Sequence, residues 1–129
     1  MTDEGNVAHL FVYGTLLPDA ESWPVLQPYV VGDGRPDWAL GTLFDTGLGY
    51  PAATFAATAT ARIAGRVFEL PVERRADALV VLDDFEDIGS GLYRRVVVTT
   101  GCGVVAWAYE AGTGFDLSPI ESGDWLNRN

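Results

Sequence analysis

In the stretch Arg62-Ile63-Ala64-Gly65-Arg66-Val67-Phe68-Glu69-Leu70-Pro71-Val72 the hydrophobic pattern of the chain changes its period. Up to Leu70 it reads as a strand, with Ile63, Val67 and Leu70 apolar around Gly65. Pro71 then favours a helix start, because its φ is already helical and its missing N–H has no partner there in any case. Val72–Glu86 is long enough for about four turns. Downstream, Gly89-Ser90-Gly91 reads as a turn, and Tyr93–Thr100 and Val104–Ala111 form a hairpin around Gly101-Cys102-Gly103. Upstream, strands are expected at Ala8–Tyr13, Trp38–Phe44 and Ala52–Phe55. A short helix capped by Ser22 follows the first of them, and Gly32–Pro36 is a turn. Trp125 is expected to fold back onto the body, since so large an aromatic gains much by burial. Many short strands with one main helix imply an α+β fold: a small, mixed, partly closed β-barrel with short flanking helices. The 129 residues suit a single domain, 1–129, with residues 1–7 as a flexible N-terminal tail.

Composition removes whole classes of function. The hydrophobic fraction of 48% supports a core and argues against disorder. No apolar run approaches the ~20 residues of a membrane span, and the opening residues lack the basic start and apolar centre of a signal peptide. A soluble, cytoplasmic protein with no membrane partner is expected. The net charge is −10 and all eight basic residues are arginines, so phosphate backbones are repelled and nucleic acid is not an expected partner. Without lysine, a side-chain Schiff base is impossible. Cys102 is the only cysteine, so no intrachain disulfide forms, and its hairpin position argues against reactivity. His9 is the only histidine and no G-x-S-x-G motif occurs, which leaves no basis for a serine triad. Zinc sites built on Cys and His are excluded as well.

Two features remain that can carry chemistry. Tyr13-Gly14-Thr15-Leu16 follows the apolar run Leu10-Phe11-Val12, and a strand that ends at Gly and a hydroxyl residue offers backbone N–H groups to an anion. The second is Leu82-Asp83-Asp84-Phe85-Glu86, followed by Tyr93-Arg94-Arg95. At ~100° per residue, Val72, Ala76, Leu79 and Leu82 share one side of the helix, and Glu86 falls on the same side. Desolvation and the negative end of the helix dipole then both raise its pKa, as general acid/base work at neutral pH requires. Pairing of a half-buried Glu86 with Arg94 or Arg95 is the competing reading. Tyr93 either lines a pocket beside Glu86 or packs in the core, and Trp107 and Tyr109 share one face of the last strand.

The order Tyr13-Gly14-Thr15-Leu16, Gly41-x-Leu43, Tyr50-Pro51, Gly65-x-Val67-Phe68-Glu69, Leu82-Asp83-x-Phe85-Glu86 and Tyr93-x-Arg95 resembles the gamma-glutamylcyclotransferase-like superfamily. The Y-G-T-L form is similar to its gamma-glutamylamine cyclotransferase and avirulence-induced-gene branch. The resemblance implies a small β-barrel with flanking helices, no metal and no cofactor. It implies that Tyr13, Gly14, Thr15 and Leu16 hold the substrate and that Glu86 is catalytic; Tyr93, from its position, is the further substrate-binding candidate. The chain departs from the family at Asp87–Gly91, where a Gly-Tyr pair is usual, and Leu17-Pro18 is unlike the glutathione-specific branch. The expected activity is cyclisation of an L-γ-glutamyl amide to 5-oxoproline and a free amine or amino acid, transferase or lyase chemistry on a small molecule. The alternative is a non-catalytic module that binds small anions or γ-glutamyl groups on the same fold.

Overall fold

A computed structural model describes residues 7–86, 89, 91–112 and 117–128. The expected tail lies outside these except for Val7, which is buried in the core, and Ser90 of the expected turn also lies outside. The strands are β1 (His9–Val12), β2 (Arg35–Asp45), β3 (Pro51–Phe55), β4 (Arg62–Glu69), β5 (Tyr93–Thr99), β6 (Val105–Ala111) and β7 (Ser118–Pro119). The α-helices are α1 (Trp23–Leu26) and α2 (Val72–Phe85), and short 3₁₀ turns occupy Gln27–Tyr29 and Trp125–Asn127. Hydrogen bonding orders the sheet β3-β2-β4-β1-β6-β5, with β7 on β2. All pairings are antiparallel except β1 with β6, where Leu10 faces Trp107. The sheet is therefore mixed and nearly closes into the expected α+β barrel.

Strand alternation divides the core in two. Phe11 and Tyr13 of the β1 region, Ile63 and Val67 of β4, and Ala106 and Ala108 of β6 fill the barrel, which Trp125 helps to plug. Leu10 and Val12, Phe68, and Trp107 and Tyr109 face the other way and pack beneath α1 and α2. Gly65 lies inside the barrel because a Cβ there would stand 2.3 Å from the Val12 carbonyl and 2.8 Å from the Phe11 ring. The small residue makes room for the large one on the neighbouring strand.

The seam between β3 and the β5–β6 edge is bridged by side chains. Successive alternate residues of β3 are taken in turn: the Tyr93 hydroxyl donates to the Pro51 carbonyl at 2.5 Å, and the Glu110 carboxylate accepts from the Phe55 N–H at 3.3 Å. Between them, the buried Tyr13 hydroxyl donates to the Tyr109 carbonyl at 2.6 Å and also accepts from the Ala53 N–H. Tyr13→Phe removes this bridge and leaves buried backbone groups unpaired, so a loss of about 1–3 kcal/mol is expected by urea denaturation.

Helix α2 begins after Pro71 as expected, but its buried face differs from the projected one. Val72 and Ala76 are exposed, and Ala78 and Leu82 are the residues sealed against the sheet. The first turn thus leaves the apolar Val72 in solvent. Ser22 precedes α1 without a side-chain capping bond, contrary to expectation. Strand β2 starts at Arg35, inside the expected turn, because Arg35 and Pro36 pair with Val67 and Arg66.

Candidate active site

Beyond Val12 the chain leaves β1 and turns sharply. The Leu17 N–H donates to the Gly14 carbonyl at 3.0 Å, and the Ser22 N–H donates to the Thr15 carbonyl at 2.8 Å. Among the described residues, the backbone bonds of this turn are donated by Leu17, Ala20 and Ser22, not by the amides of Gly14, Thr15 or Leu16. Gly14 has no room for a side chain: a Cβ would meet the Pro51 ring at 2.6 Å. The Tyr50-Pro51 pair is in this way packed directly against the tetrad.

A cavity of about 450 Å³ opens at this turn. Gly14, Thr15 and Leu16 line it together with Glu86, Tyr93 and Tyr109, and Tyr50, Pro51 and Phe85 complete its wall. Every residue singled out from the sequence as catalytic or substrate-binding (Tyr13, Gly14, Thr15, Leu16, Tyr93 and Glu86) borders this one space. The volume lies within the range of small-molecule sites.

Glu86 stands just past the last residue of α2, its N–H bonded to the Leu82 carbonyl at 2.8 Å. Burial pushes its carboxyl up from the ordinary value to about 7. Both arginines that could have paired with it are held by other acids. Arg94 bonds Glu110 at 3.0 Å, and Arg95 Nε bonds Asp83 Oδ1 at 3.0 Å. Burial first, and the Glu86 charge among the further causes, raises the phenols of Tyr13, Tyr93 and Tyr109 above the usual tyrosine range. A carboxyl poised near neutrality and ringed by neutral hydroxyls is suited to take and return a proton.

Tyr109 and Tyr50 were not singled out as site residues from the sequence. The 107/109 alternation was legible, but it takes the register of β6 to set Tyr109 beneath α2, where its hydroxyl donates to Asp83 Oδ1 at 2.7 Å. Tyr50 sits in an irregular stretch whose path no periodicity predicts. His9 and Cys102 do not line the cavity. Cys102 is exposed at the hairpin tip, and a hydrogen bond to Asp37 raises its thiol, which opposes thiolate chemistry. Asp87 and Ile88, where the chain departs from the family pattern, lie outside the described residues. Among the described residues, no group of three or more His, Cys, Asp or Glu side chains is placed to hold a metal ion, and no helix is long and apolar enough to cross a membrane.

Comparison with known proteins bears on this geometry. Residues 10–127 match the family described as gamma-glutamyl cyclotransferase, AIG2-like. A Halalkalibacterium halodurans protein bearing the name "Putative gamma-glutamylcyclotransferase" is 33% identical over 99 residues, which is 72% of this chain and 85% of the relative. The crystal structure of the uncharacterized protein PH0828 from Pyrococcus horikoshii superposes with a TM-score of 0.68 at 26% identity, covering 92% of this chain and 89% of that one. An AIG2-like protein of Mus musculus gives the same TM-score, 0.68, at 23% identity over 91% of this chain and 88% of its own, a likeness of fold.

Proposed function

This chain belongs to the gamma-glutamyl cyclotransferase, AIG2-like family, and from that premise and the cavity we propose that it cyclises an L-γ-glutamyl amide to 5-oxoproline, with Glu86 as general base and then general acid. The observation that carries this reading is the shared lining of one cavity by the Gly14–Leu16 turn and by a carboxyl group whose pKa is about 7. The substrate α-carboxylate rests on the amides of Gly14, Thr15 and Leu16, which supply positive potential where the chain has no lysine. Held there, the γ-glutamyl chain folds so that its own α-amine reaches the γ-carbonyl carbon. The new N–C bond forms as the Glu86 carboxylate takes a proton from the amine. The amide C–N bond then breaks as Glu86 returns that proton to the leaving nitrogen. One proton passes through the enzyme, and nothing is oxidised or reduced.

No nucleophile is borrowed from the protein, in keeping with a chain that has one histidine, one cysteine and no lysine. Ring closure is intramolecular, so the site contributes mainly by fixing the reactive rotamer and by timing the proton. In this reading, residues 1–129 act as one domain on a small soluble substrate.

The test is incubation with a panel of γ-glutamyl amino acids, γ-glutamyl amines and isopeptide-linked lysine, scored by mass spectrometry for 5-oxoproline. Release is expected from at least one class, with a rate that climbs as pH rises through about 7, because the ionised form of Glu86 starts the reaction. Tight binding of these compounds with no 5-oxoproline at any pH assigns the protein instead to the non-catalytic binding class.

A further inference from the structure

Asp83 lies one helical turn before Glu86, and its Oδ1 collects two partners from the strands beneath. The Tyr109 hydroxyl of β6 donates to it at 2.7 Å, and Arg95 Nε of β5 at 3.0 Å. Arg95 is further fixed by its guanidinium lying 4.2 Å above the Trp107 ring. Arg95, Tyr109, Asp83 and Glu86 thus occupy one neighbourhood, and the Tyr109 phenol senses the charge of all three of the others. Residues one helical turn apart are neighbours, and Glu86, the residue just past α2, lies one turn beyond Asp83, so it is an alternative acid for an arginine bound there. The titratable groups that share the cavity wall with Glu86 are the phenols of Tyr13 just after β1, Tyr50 before β3, Tyr93 of β5 and Tyr109 of β6, and the carboxylate of Glu21. Among the described residues no arginine lines that wall.

We propose that Asp83 is a positioning residue for the reaction: it captures Arg95 and so keeps that cation off Glu86, while it holds Tyr109 as a wall of the cavity. The physical reason is competition. A guanidinium beside a carboxylate favours its charged form and lowers its proton affinity, commonly by 1–3 pH units. A Glu86 paired with Arg95 would be a poor base at neutral pH and could not return the proton to the leaving amine. The helix thus carries two acids with separate tasks: the outer one binds the arginine, and the inner one stays free for the proton.

This inference rests on the proposed role of Glu86, and its test reads that residue both with and without turnover. The Glu86 titration is followed by carbon-13 NMR of the labelled carboxyl in wild type, Asp83→Asn, Arg95→Met and the double variant, beside the pH–rate profile for 5-oxoproline release. Asparagine keeps an acceptor for the Tyr109 hydroxyl and removes only the charge. The expected result is a Glu86 midpoint lowered by about one pH unit or more in Asp83→Asn, with the rising limb of the rate profile shifted equally. In the double variant both return to the wild-type position. In Arg95→Met the midpoint stays at the wild-type position, because burial alone sets it and no cation is left to compete. An unchanged midpoint in Asp83→Asn, or a lowered one that Arg95→Met fails to restore, overturns the positioning role. Should Asp83→Asn not fold, Asp83→Ser carries the same test: a lowered midpoint that adding Arg95→Met restores supports the role, and an unchanged one overturns it. A wild type that titrates as described but releases no 5-oxoproline overturns the enzymatic reading instead.

Discussion

Glu86→Gln is expected to lower release of 5-oxoproline at least about a hundredfold while the fold stays intact. General acid–base groups typically contribute ~10²–10⁴ in rate, and here one carboxyl is assigned both transfers. Glutamine matches glutamate in shape, so the cavity wall built by Phe85, Tyr93 and Tyr109 keeps its form. Binding of a γ-glutamyl compound should therefore survive, since in the proposed mode its carboxylate rests on the Gly14–Leu16 turn and not on Glu86. The measurement is single-turnover release by mass spectrometry beside equilibrium binding by calorimetry. Turnover in the variant within a few-fold of wild type would remove Glu86 from the mechanism.

The same substitution is expected to stabilise the protein above neutral pH, and the sign follows from the direction of the shift. Burial raises the Glu86 carboxyl to about 7, against an ordinary value of 4.5 in the unfolded chain. Between those two values the native state binds the proton more tightly than the unfolded state does. Stability from this group is thus complete below about pH 4.5, declines as pH rises through the window, and is lost above about 7. A separation of that size corresponds to up to about 3 kcal/mol. Glutamine carries no charge at any pH, so it escapes the cost of an ionised carboxylate in the cavity. Urea denaturation at pH 8 should show the variant more stable by an amount approaching this value, shrinking to near zero at pH 4.5. Equal stabilities at pH 8 would mean that the native carboxyl ionises in comfort. Together the two outcomes describe a site that gives up stability for a base of useful strength.

The amino-acid order by itself determined six of the seven strands and both α-helices, because the relevant signals are local, while β7 and the 3₁₀ turns carried no such signal. The switch of period at Pro71, the hairpin at Gly101-Cys102-Gly103 and the alternation of Ile63 and Val67 each act over a few residues. Both halves of the candidate site were visible as local motifs: a strand ending at Tyr13-Gly14-Thr15-Leu16, and Leu82-Asp83-Asp84-Phe85-Glu86 at the end of the helix, although the projected helix face was not the buried one. The exclusions were equally local, since the absence of lysine and the single histidine and cysteine need no fold to interpret.

What only the tertiary structure decided are the relations between segments far apart in the chain. The buried face of α2 centres on Ala78 and Leu82 rather than Val72 and Ala76, since what a helix packs against, and not its composition, selects the face. The closure of the barrel through Tyr13, Tyr93 and Glu110 appears only once β3 curls toward β6. The choice between a paired and a free Glu86 could not be made from spacing, because Arg94 and Arg95 follow it closely and either could in principle turn back. It was made by the partners the sheet supplied: Glu110 across the strand for Arg94, and Asp83 on the helix for Arg95. Periodicity can point a carboxylate inward, but the charge it meets there is set by long-range packing.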